Sequence, residues 1–303
     1  MINALIERWR PETHTFHFPV GECVVTLEDV TVILGLPTNG LPVTGPTMSS
    51  FEALEAECLH QFGIAPSKSD CRGSFIKLTW FRGVRDRIVL NDDVHMQMYV
   101  KCHIMLLFGK VLFADKSGAG VHWKFLPLLR NFGGIIQFSW GSACLAHLYR
   151  SLCRATRVDC KEMDGPLTLL VSWAWIRLPF LAPIPGNPRV FPIANRWHNW
   201  DRQNYAYRYK TLAHYRRLLD DLEEGQLRMV LRNSRPGTSM TSIVPPYLPT
   251  VLLLHFGYPD QPVTTIPIFY TFAIECRRFR LIYPIVHTSP DGIIFHCLDY
   301  CLP

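Results

Sequence analysis

Asp164-Gly165-Pro166 is followed by LTLLVSWAWIRL, a run that is apolar on almost every side. Proline suits the first position of a helix, and a helix with no polar face has to be buried. Other apolar surface must then enclose it. The chain has enough: 48% of its 303 residues are hydrophobic and 18% are charged. That balance excludes wholesale disorder and fits one large domain or two tightly joined ones. The same run is the best candidate for a membrane span, but residues 166–183 contain Arg177 and Pro179. No run reaches the ~18 apolar residues that a span needs.

Other helices announce themselves by their ends. Residues 1–10, with Ala4, Leu5 and Trp9 on one side, read as a helix closed by Pro11. Thr26-Leu-Glu-Asp29 resembles a capping box opening a short helix that stops at Gly35, and Ser49-Ser-Phe-Glu52 opens another that runs to Gly63. Asp92 and Asp93 occupy the first turn of a helix ending at Gly109. Residues 138–156 repeat Leu145, Leu148, Tyr149 and Leu152 at helical spacing. Between these, THTFHF, a Pro19-Val20-Gly21 turn and ECVVTL predict one β-hairpin. Residues 65–73 read as a loop, 178–189 as a proline-rich strap or hinge, and 244–303 show no clear period. The expected fold is mainly α: a single helical globular domain with a small N-terminal β-hairpin.

Ten cysteines in a chain this long, with charges in MINALIERWR where a signal peptide is apolar, point to reduced thiols in the cytosol or nucleus. His14, His17, Glu22 and Cys23 suggest a metal site, but His14 and His17 point to opposite faces of one strand. His296, Cys297 and Cys301 lack the second pair that structural zinc requires. No metal and no cofactor are expected. Phosphate-cradling glycine motifs, the nucleophile elbow and the paired-histidine zinc motif are all missing.

Charge offers more. The net charge is +6, yet residues 1–60 hold eight acids and two bases, so the remainder carries +12. Residues 201–222 predict a long two-faced helix. Tyr205, Leu212, Tyr215, Leu219 and Leu222 share one arc, while Arg202, Lys210, Arg216 and Arg217 share the opposite one. Arg196, Trp197, Trp200, Tyr207 and Tyr209 lie beside them. Cations interleaved with aromatics suit phosphate contact and base stacking. The plain alternative is a solvated face with snorkelling tyrosines. Arg202, Lys210, Arg216 and Arg217 are the candidate binding residues, for a nucleic acid or an acidic protein.

The run Arg8-Trp9-Arg10-Pro11-Glu12-Thr13-His14, then Phe16-His17, Gly21-Glu22, Thr26-Leu-Glu-Asp29-Val30 and Leu34-Gly35-Leu36-Pro37, resembles the plant mobile domain, also labelled aminotransferase-like. Ser139-Trp140-Gly141-Ser142-Ala143, Trp173-Ala174-Trp175, His214-Tyr215-Arg216 and Ile243-Val244-Pro245-Pro246-Tyr247-Leu248 extend the resemblance over residues 1–248. Residues 249–303 diverge, with Glu275-Cys276-Arg277 where the family carries Glu-Trp-His, and the start looks short by one helix. The resemblance implies a transposon-derived, non-enzymatic nuclear interaction module with a role in transposon silencing, gene expression or meristem maintenance. It assigns no catalytic residue. A pyridoxal phosphate enzyme needs a Schiff-base lysine and a phosphate cup, and neither is evident. The rivals are a catalytic remnant, hydrolase or transferase, and a scaffold for a phosphatase-like protein.

Overall fold

The computed structural model describes residues 1–160, 162–197 and 209–227, with the backbone of 284–289 and 292–297. Helix α1 is shorter than its apolar side suggests, spanning Ile2–Ile6. Trp9 has left it for strand β1 (Trp9–Arg10), which pairs antiparallel with β2 (Thr15–Phe18); β2 in turn pairs with β3 (Gly21–Cys23). The reason is Phe16. Register places Trp9 opposite it, and their rings meet edge-on at 4.9 Å in the core. The predicted hairpin thus gains a third strand and loses Val24 and Val25, which lead into α2.

Helix α2 (Leu27–Leu34) begins with the expected capping box. Asp29 N donates to the Thr26 hydroxyl, Thr26 N donates to the Asp29 carboxylate, and Gly35 closes the helix at φ 69°. Helix α3 (Phe51–Phe62) is capped by Ser50 accepting from Ala53 N, one residue later than the Ser49/Glu52 box.

Residues 65–73 are not wholly a loop. β4 (Cys71–Arg72) pairs with β5 (Phe75–Lys77), which pairs with β6 (Gly120–His122), forming a second three-stranded sheet. Strands of two or three residues are too short to show a period in sequence. Helix α4 (Leu78–Arg87) follows β5 directly and packs on α5 (Asp93–Leu107), whose N-cap is Asp92. The chain does not stop at Gly109 but passes through a wide π-helical turn, Phe108–Leu112. A Cβ on Gly109 would meet Leu78 Cδ2 at 2.6 Å and the Gly120 carbonyl at 2.9 Å, so glycine there admits β6 against the helix.

Two 3₁₀ segments, Trp123–Leu129 and Phe132–Gln137, lead into α6 (Trp140–Ala155). Helix α7 (Leu167–Arg177) is buried on nearly all sides, as its composition demands, with Pro166 at the N-cap rather than the first helical position. Helix α2 packs on both α6 and α7. The proline-rich strap is pinned: Leu181 is buried, and Trp197 packs on Trp175 at 5.0 Å while its Nε1 donates to the Pro183 carbonyl.

Helix α8 spans Leu212–Asp220, not 201–222. Thr211 is an extended N-cap accepting from His214 N, which sets the start, and 201–208 lie outside the described residues. In the divergent segment β7 (Pro284–Ser289) pairs antiparallel with β8 (Gly292–Cys297). Cys301 lies outside the described residues.

Candidate functional site

The four cations expected on one arc are placed differently from one another. Arg216 on α8 donates to Glu7 through Nε at 2.8 Å and through its terminal amine at 2.5 Å. This bond holds the Glu7 carboxyl below its usual range. Arg8 reaches the same helix, donating to the Arg216 carbonyl and to Asp220. Together these contacts clamp α1 to α8, whose inner face buries Tyr215 and Leu219. Arg217 is exposed. Lys210 precedes the helix, half-buried, and burial lowers its ammonium. Arg202 lies outside the described residues, as do Trp200, Tyr205 and Tyr207.

The histidines near the start are also separated. His14 sits in a turn at φ 56° and stacks on Tyr149 at 5.8 Å, whereas His17 faces Glu22 across the sheet at 3.4 Å. Among the described residues no cluster of His, Cys, Asp and Glu could hold a metal ion. Cys58, Cys102 and Cys144 are buried thiols, and burial pushes the Cys58 thiol up to about 12.

What the fold does assemble is a cleft of about 1240 Å³ between the second sheet, α6 and the loop at 42–44. Along α6 its wall is Ser139, Ser142, Ala143, Ala146, His147 and Arg150, the spacing of one helix face. Across from them stand Phe75 and Lys77 on β5 and His122 on β6, with Lys124 following. Strand alternation explains that side. Phe75 and Lys77 share one face of β5, while Ile76 between them is buried; Val121 is buried likewise on β6.

Arg72, Lys77, Lys116, Lys124 and Arg150 line the cleft against Asp115, Glu162 and Asp164. Two of the three acids are engaged. Asp115 accepts from the Ser117 hydroxyl at 2.6 Å and from the amides of Ala119 and Gly120. Asp164 accepts from Arg154 at 2.6 Å. Lys77 gives the Ser69 carbonyl one hydrogen bond at 2.6 Å and keeps two hydrogens. Partial burial, then the neighbouring Arg150, lowers the Lys124 ammonium. Burial likewise lowers His122 and His147, so both imidazoles are neutral near pH 7. The Nε2 of His147 is buried with no hydrogen-bond partner, and its ring lies edge-on to Phe113 at 5.8 Å. Phe75 and His122 are cross-strand partners with rings 5.0 Å apart.

Sequence reasoning misses this cleft because its five cations come from five separate places: β4, β5, the turn before β6, the first 3₁₀ segment and α6. Arg72 falls in the segment read as a loop and Arg150 on a helix singled out above, but nothing local reveals the direction of either.

The plant mobile domain matches residues 1–230. The chain is 45% identical over 179 residues to the serine/threonine-protein phosphatase 7 long form homolog of Arabidopsis thaliana, covering 59% of this chain and 13% of that protein. It is 34% identical over 261 residues to Protein MAIN-LIKE 1 of the same organism, covering 84% of this chain and 48% of the relative. Protein MAINTENANCE OF MERISTEMS is 30% identical over 275 residues, covering 86% and 55%. The chain thus spans about half the length of these relatives, or much less. No solved structure matches it. A match over residues 1–230 places the chain in a family: it belongs to the plant mobile domain family.

Proposed function

We propose that this chain is a non-enzymatic nuclear interaction module that holds a polyanion in the cleft between the second sheet and α6. One observation carries the reading: five cationic side chains converge there while two of the three acids are occupied internally. Like charges gathered on a concave wall focus a positive potential on whatever enters. A role in silencing, gene expression or meristem maintenance belongs to the same proposal, supported by the names of the relatives. The phosphatase-named relative supports a phosphatase-like protein as a further partner, which co-purification tests.

The test is a salt titration of binding to a fluorescent oligonucleotide and to heparin. Log affinity falls linearly with log salt for a phosphate-bound protein. Lys124→Ala with Arg150→Ala lowers the slope by about 1 per removed contact. Arg202→Ala/Arg216→Ala/Arg217→Ala runs in parallel; if only that variant loses affinity, α8 carries the binding. No affinity at low salt for either probe defeats the proposal.

A second reading, a hydrolase or transferase, draws on the histidines, serines and Asp164 of the same cleft. Their contacts argue against it. Ser139 donates to Ser142 and Ser142 to the Thr38 carbonyl, so neither hydroxyl hydrogen faces a histidine. Asp164 is bonded to Arg154, and the buried Nε2 of His147 is out of reach of a substrate. A general base must approach the proton it takes.

A further inference from the structure

Charge explains why a polyanion enters the cleft, but the shape and the rings select among polyanions. We infer that the ligand is single-stranded nucleic acid, with its phosphates on Lys77, Lys124 and Arg150 and an unstacked base against the Phe75–His122 ring pair. The inference rests on the polyanion reading above and narrows it.

Three observations carry it. First, the site is concave. Its volume of about 1240 Å³ exceeds the roughly 300–1000 Å³ of small-ligand sites, so it suits a segment of polymer. A duplex keeps its bases stacked on one another, out of reach of the Phe75 and His122 rings. Second, the aromatic pair stands on the same sheet face as a cation. Phe75 and Lys77 project together from β5, and Gly120, opposite Lys77 on β6, carries no side chain. A Cβ at Gly120 would lie 3.2 Å from the Phe75 Cβ, so glycine leaves the flank of the ring open. Phe75 is half-buried and meets the His122 imidazole edge-on, so the two rings do not stack on each other and a base is their stacking partner. Third, Lys124 follows His122 by two residues and Arg150 faces it from α6, so cations flank the rings on both walls. Alternating rings and cations are how single strands are held without sequence reading. An acidic peptide would satisfy the cations and leave the rings unused.

Binding of the full chain is measured by fluorescence anisotropy. The probes are a labelled oligothymidine, a duplex of equal length, heparin and poly-glutamate, each at low salt. The expected result is at least a ten-fold preference for the single strand over the duplex. Phe75→Leu or His122→Ala should weaken the oligonucleotide roughly ten-fold more than it weakens heparin, since a stacked base is lost but no charge. Thermal unfolding of both variants shows whether they fold, and His122→Ala on the rim serves if Phe75→Leu does not. Equal binding of duplex and single strand overturns the inference, as does an equal loss for heparin and oligonucleotide; the polyanion reading survives both. Preference for poly-glutamate overturns it in favour of an acidic protein. Failure to bind any probe defeats the polyanion reading itself, and the inference with it.

Discussion

Arg177 near the end of α7 donates to the Asp29 carboxylate at 2.6 Å across a separation of 148 residues, and Asp29 is fully buried. The same carboxylate closes the capping box of α2 by accepting from Thr26 N at 2.9 Å. One side chain therefore both starts a helix and ties it to the central one. Asp29→Ala should cost about 4 kcal/mol, the cost of leaving a buried guanidinium without its carboxylate. Asp29→Asn should cost less, because the asparagine carbonyl oxygen still accepts from Thr26 N in the capping box. Urea unfolding of the two variants checks the order.

Gly141 in the first turn of α6 should resist alanine, although alanine favours a helix by roughly 0.5–1 kcal/mol. A Cβ there would stand 2.8 Å from the Pro37 carbonyl and 2.8 Å from Thr38 Cγ2. The Gly141 amide donates to that carbonyl at 2.8 Å, so the contact cannot open freely. Gly141→Ala should destabilise the protein by about 1–3 kcal/mol through overpacking. A fall in the denaturation midpoint without a change in slope is the expected readout.

These two sites differ in how far they can be read from sequence. Asp29 is legible as a cap, since Thr26 lies three residues before it; its partner Arg177 is not, because only the packing of α2 on α7 brings it near. Gly35, Gly63 and Asp92 mark helix ends for equally local reasons. Phe75 and His122 become neighbours only through pairing of three-residue strands, which have no periodic signature. Arg216 reads as a binding cation in isolation because Glu7 stands 209 residues away in the chain. Long-range pairs decide the site here, and one sequence does not display them.

His103 should make stability fall in mild acid. Burial, then Arg85, lowers its imidazole to about 4 from an ordinary 6.5, against the pull of Asp86. Between those values the unfolded chain binds a proton that the folded one refuses, so stability rises with pH across that window. The penalty is absent above about pH 6.5 and fully developed below about pH 4, amounting to about 3 kcal/mol. Chemical denaturation at pH 7 and at pH 4.5 should show a drop that is smaller in His103→Leu.

The clamp between α1 and α8 should govern how readily α8 opens. Arg8→Ala with Arg216→Ala removes the bonds to Asp220 and Glu7 and leaves Tyr215 and Leu219 as the anchors. Amide exchange over 212–220 should speed up, while exchange in α7 stays unchanged. Raising salt in the unmutated protein should move exchange the same way, because exposed ion pairs are screened.

The cleft is assembled from residues in five stretches: 42–44, 72–79, 113–125, 139–150 and 162–164. No short fragment can carry it. An internal deletion that spares every helix but takes β6 removes His122, the cross-strand partner of Phe75, together with Gly120 opposite Lys77. Loss of β6 alone would therefore unmake the cleft in one step while the helices stand, so an intact helical scaffold is a poor guide to whether the cleft is present.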